Sequence, residues 1–95
     1  MQSIYATTTA RIWGTRQAWS AEQTDGPAQT SVQCTVELEI QCDRHGCNLV
    51  MSPSGFSTAD SWHPTKQDAI DTACEMFGVS PTAWGSLRPD VDRDV

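Results

Sequence analysis

Apolar and polar residues alternate without a break from Val32 to Cys42. Val32, Cys34, Val36, Leu38, Ile40 and Cys42 fall on one side and polar residues on the other. A period of two sends successive side chains to opposite faces of a pleated strand, so this run predicts one buried face and one wet face. Asp43-Arg44-His45-Gly46 interrupts the run, with Gly46 free to take a positive φ. Alternation resumes at Cys47, Leu49 and Met51, which predicts a β-hairpin with a four-residue loop.

Upstream, the stretch from Ile4 to Trp13 is rich in Thr, Tyr, Ile and Trp, residues suited to a pleated surface. Ile4, Ala6, Thr8, Ala10 and Ile12 line one face of the predicted strand, and Tyr5, Thr7, Thr9, Arg11 and Trp13 the other. Beyond Gly14 two readings compete: a bulged continuation toward Trp19, or a short helix over Thr15–Gln23. Gln23 to Ser31 is a loop by composition, Ser52-Pro53-Ser54-Gly55 a turn, and Phe56 to Trp62 a brief edge segment.

The pattern then changes period. Ala69, Ile70, Ala73, Cys74 and Phe77 form one apolar stripe at helical spacing, preceded by Thr65 as N-cap and Asp68 three residues on in an approximate capping box. Gly78 stands where a left-handed residue ends a helix. Ser80-Pro81 restarts a single turn that returns Trp84 to the body. These elements predict an α+β fold: an antiparallel sheet of three or four strands with one main helix packed on one face. Residues 1–85 are expected to form a single compact domain and residues 86–95, which have no period, a flexible acidic tail.

Composition narrows the function classes. Six Lys and Arg stand against twelve Asp and Glu, and the net charge of −6 disfavours nucleic acid backbones and anionic membranes as partners. No apolar run reaches the ~20 residues of a membrane helix. The first ten residues have neither a basic segment nor a continuous apolar core, so the expectation is a cytoplasmic protein with reduced thiols.

Asp60-Ser61-Trp62-His63-Pro64-Thr65, with Ala69, Ala73, Phe77-Gly78-Val79 and Trp84, resembles a pattern of small bacterial sheet-plus-helix proteins, some similar in size and charge to immunity proteins encoded beside toxins. The resemblance implies the fold and transfers no catalytic residue.

Cys42, His45 and Cys47 are of the types zinc prefers, and a hairpin loop gathers them. Cys34 lies eight residues back on the same strand, ~27 Å away, so only His63 or Cys74 is left to complete such a site. Against this, Cys42 and Cys47 belong to the inward alternation, where a free Cys acts as a small hydrophobe; a Cys42–Cys47 disulfide is the third reading. Asp60, Ser61 and His63 hold the residue types of a hydrolase triad, but their adjacency counts against side chains converging from different elements.

Asp68, Asp71 and Glu75 fall within about 60° of each other on the helix, nearly opposite the apolar stripe. They are a solvated face or an acidic patch for a basic partner. Among the four Trp, Trp62 and Trp84 bracket the helix and are expected to pin its ends, leaving Trp13 and Trp19 as candidate interface anchors. If Arg11 and Arg16 share a face, they form a small basic strip beside an otherwise acidic domain, a candidate self-association contact.

The expected function is a non-catalytic protein-binding module, of an inhibitor or immunity type, without cofactor. It acts on a partner with a basic surface through Asp68, Asp71, Glu75, Trp13 and Trp19, and a homo-oligomer is compatible with the charge pattern. The alternative is a metal- or thiol-dependent protein using Cys42, His45 and Cys47, and a hydrolase using His63 ranks last.

Overall fold

A computed structural model describes residues 2–21 and 31–86. Its elements run β1 (Gln2–Gly14), β2 (Trp19–Ser20), β3 (Ser31–Asp43), β4 (Gly46–Pro53), β5 (Ala59–His63), α1 (Lys66–Phe77) and a 3-10 turn (Pro81–Ala83). The strands form one antiparallel sheet in the order β2-β1-β3-β4-β5. Among the described residues the fold class is therefore α+β with one helix on the sheet, and the expected three or four strands become five.

The extra strand has a local cause. Gly14 takes φ 107°, and Thr15 and Ala18 exchange backbone hydrogen bonds of 3.1 and 3.2 Å. The chain turns back at once and lays Trp19-Ser20 against Trp13-Gly14. The result is neither the bulged continuation nor the short helix, and two residues are too few to show a period. Most of the loop expected over residues 23–31 and of the tail expected over residues 86–95 lies outside the described residues.

Alternation on β3 and β4 holds in the middle of the hairpin, whereas Val32, expected on the buried face, is 47% exposed near the start of β3, and Cys34 and Cys42 are half-buried. Val36, Leu38, Ile40, Cys47, Leu49 and Met51 are buried on the inner face. Each fully buried Leu or Ile contributes about 1.5–3 kcal/mol of transfer free energy. The hairpin is tighter than expected, because Asp43 pairs with Gly46 and leaves only Arg44 and His45 as the turn. The carboxylate of Asp43 accepts the His45 N–H at 2.8 Å, a local bond that favours the reversal.

Helix α1 covers the inner face. Its buried residues are Ala69, Ala73 and Phe77; the two small side chains admit the backbone close to the sheet, and Phe77 fills the space at the far end. The Thr65 hydroxyl accepts the Asp68 N–H at 3.1 Å, and Gly78 ends the helix at φ 72° while donating to the Cys74 carbonyl. Cys74, expected in the apolar stripe, is exposed. It follows buried Ala73 by one residue, a rotation of about 100° that carries it past the edge of the sheet contact.

After the helix, Ser80 caps the 3-10 turn and Trp84 packs on the core. Gly85 and Tyr5 then exchange two backbone hydrogen bonds of 2.7 and 2.9 Å on the side of β1 away from β3. No described helix is long and apolar enough to cross a membrane.

Candidate functional site

Two arrangements carry chemistry, one on each face of the sheet. On the outer face, strand register builds cross-strand rows. Ser3, Gln41, Asn48 and Trp62 form one row, and Tyr5, Glu39, Val50 and Asp60 the next. Thr7, Glu37 and Ser52 follow. Odd-numbered residues of β3 and even-numbered residues of β4 and β5 share this face because paired strands present paired residues to the same side.

Trp62 dominates the outer face. It was expected to pin the helix, yet it points away from it and stands 59% exposed. On an edge strand, Ser61 and His63 flank it on the inner face, so alternation sends Trp62 outward. Its indole lies over the backbone of Gly46, which holds a large apolar surface in place without burying it. Asp60 is exposed two residues away on the same strand, Glu37 is exposed on the same face two rows further along the sheet, and Glu39, half-buried in the row between, accepts from the Gln41 amide at 3.1 Å.

The inner face carries the second arrangement. Cys42, Cys47 and His63 stand in one row across β3, β4 and β5. Cys42 and Cys47 are joined by a disulfide, so the free-thiol core reading gives way to a covalent one. In this state neither sulfur is a thiolate ligand. His45 is exposed at the tip of the turn, and no group of three or more His, Cys, Asp or Glu among the described residues is placed to hold a metal ion.

His63 is 8% exposed, and both of its ring nitrogens are engaged. Nε2 lies 2.8 Å from the Ser61 hydroxyl, and Nδ1 lies 3.2 Å from the Asp68 carboxylate. An ionised carboxylate only accepts, so Nδ1 carries the proton in that bond. In the neutral ring Nε2 is then the acceptor, and Ser61 donates to it. The three side chains converge from a strand and a helix. Ser61 and His63 share a face at a spacing of two, and Asp68 reaches them from the capped first turn. Adjacency in sequence had argued against a Ser-His-Asp constellation built on Asp60. The acid that completes it is Asp68, expected in the capping box and in an acidic patch of the helix.

The other predicted residues are placed as follows. Asp68, Asp71 and Glu75 are exposed on the helix, with Asp71 accepting from Gln67 at 2.9 Å. Trp19 is half-buried: its indole N–H donates to the Ser57 carbonyl at 2.8 Å and its ring lies 6.5 Å from that of Phe77. Trp13 is half-buried near the end of β1. A cleft of about 470 Å³ lies beside Thr15, Arg16, Gln17, Phe56 and Ser57; neither Trp62 nor His63 lines it.

Comparison with protein-family models, curated proteins and solved structures finds no match to this chain.

Proposed function

We propose that the chain is a protein-binding module whose outer sheet face receives a basic, extended segment of another protein. The observation that supports this reading is Trp62, 59% exposed on an edge strand, with Asp60 and Glu39 in the adjacent row and Glu37 in the row beyond it on the same face. A Lys or Arg side chain laid across that surface gains a cation–π contact with the indole and an ion pair with a carboxylate. Hydroxyl and amide side chains of Thr7, Gln41, Asn48 and Ser52 supply hydrogen-bond partners around them.

This reading moves the acidic, aromatic surface from the helix to the sheet, and an inhibitor or immunity-type role by occlusion is its narrower form. A net charge of −6 again favours a cationic partner over nucleic acid. The expected cytoplasmic location sits against the Cys42–Cys47 disulfide, since that compartment keeps thiols reduced. The same disulfide favours the thiol half of the alternative function, in which the pair cycles between dithiol and disulfide.

The test is an NMR titration with a Lys/Arg-rich peptide of alternating sequence. Shift changes centred on Trp62, Asp60 and Glu37 support the reading. Changes confined to α1, or none at millimolar peptide, reject it.

A further inference from the structure

We propose that Ser61 is a nucleophile, activated by His63 and positioned through Asp68, that accepts the acyl group of a small activated ester. The inference goes beyond the docking reading and is independent of it, because these residues belong to the inner side of the sheet and the peptide surface to the outer side.

The geometry carries the proposal in three steps. First, the bond order is that of a relay: Ser61 Oγ to His63 Nε2 at 2.8 Å, and His63 Nδ1 to Asp68 Oδ2 at 3.2 Å. An imidazole held in the Nδ1–H tautomer presents its lone pair to the serine hydroxyl, which is the state a general base requires. Second, the relay is held by independent elements. His63 is buried between β5 and α1, and the Thr65 cap fixes the Asp68 backbone in the first helical turn. Third, Ser61 is half-buried on β5, the edge strand of the sheet among the described residues, so its hydroxyl is approached from that edge. Ser61 is half-buried and His63 buried, and this crowding admits only a short acyl chain on a good leaving group.

The chemistry closes without an external reagent other than water. Ser61 Oγ bonds to the carbonyl carbon as its proton passes to His63 Nε2. The carbon–oxygen bond to the alcohol breaks, and the alcohol leaves with that proton. Water then attacks the acyl-serine, His63 again taking and returning a proton, and a carboxylic acid is released. Asp68 stays ionised throughout and holds the Nδ1–H, which makes it a positioning residue.

The test uses the full chain and an alkyl fluorophosphonate, which reports serine nucleophilicity by forming an Oγ–P bond as fluoride leaves. The expected result is one adduct on Ser61 by peptide mass analysis, absent from Ser61→Ala and from the protein unfolded in urea. His63→Gln should slow labelling about 100-fold. Because that variant disturbs a buried residue, Asp68→Asn is measured beside it. It should slow labelling while ¹⁵N shifts of the His63 ring show loss of the Nδ1–H tautomer. No adduct on Ser61, or labelling at the same rate in urea, would overturn the proposal. So would an unchanged labelling rate in folded Asp68→Asn once the tautomer is lost.

Discussion

The indole of Trp62 rests on Gly46 so closely that a Cβ at position 46 would stand 2.5 Å from ring atom Cζ2. Gly46 also takes φ 149°, at the far edge of the range that side chains disfavour. One glycine thus closes the hairpin turn and provides the bed for the exposed aromatic ring. Gly46→Ala should cost about 1–3 kcal/mol of stability through clash and backbone strain. It should also move Trp62 off its seat, read as a changed Trp62 emission against a background of Trp62→Phe. Unchanged stability and emission would show that the ring is not seated there.

Cys42 and Cys47 face each other across the hairpin, one pair in from the turn, and their disulfide closes a short loop. Titration of the non-reduced protein in denaturant should find two free thiols, those of Cys34 and Cys74, out of four cysteines. Reduction should lower stability by about 2 kcal/mol, the chain-entropy value for so short a loop. The Cys42→Ala/Cys47→Ala double variant should no longer respond to reductant. Four titratable thiols would restore the free-cysteine core reading.

What the sequence disclosed, and what it hid, follows from the range of each signal. The β3–β4 hairpin, the Thr65 cap and the Gly78 stop are written in neighbouring residues, and the structure reproduces them. β2 was hidden because a two-residue strand has no period. The outward turn of Trp62 follows from alternation on β5, but that required knowing that Ala59–His63 is a strand. Asp68 was legible as a capping residue and as one of an acidic stripe. Its approach to His63 depends on how α1 crosses β5, a tertiary relation that no spacing encodes. The Tyr5–Gly85 bridge is of the same kind.

Phe77 joins the helix to the turned-back end of the sheet. It is buried, and Trp19 lies 6.5 Å from it with an indole N–H bonded to Ser57. Phe77→Leu should cost about 1–2 kcal/mol and Phe77→Ala about 3–5 kcal/mol, the spread reflecting the cavity left. Near-UV circular dichroism of Trp19 should weaken in the same order. If Phe77→Ala lost stability without altering the Trp19 signal, the ring contact would not be what orders β2.

Two acidic surfaces compete for a basic partner, Glu37 with Asp60 on the sheet and Asp71 with Glu75 on the helix. All four are exposed, so their charges act through solvent and each contributes modestly, about 0.2–1 kcal/mol. The sheet pair differs in sharing its face with Trp62, two residues from Asp60 on β5, which adds an aromatic contact that salt screens less than an exposed ion pair. Glu37→Lys with Asp60→Lys should weaken binding of a Lys/Arg-rich peptide about tenfold or more, because reversal adds repulsion to lost attraction. Asp71→Lys with Glu75→Lys should change it less than threefold or so, by long-range field alone. Trp62→Ala should lower the affinity that persists at high salt, measured by fluorescence anisotropy of a labelled peptide. Equal losses from the two double reversals would leave only a diffuse attraction to net negative charge, and a larger loss from the helix pair would return the interface to α1.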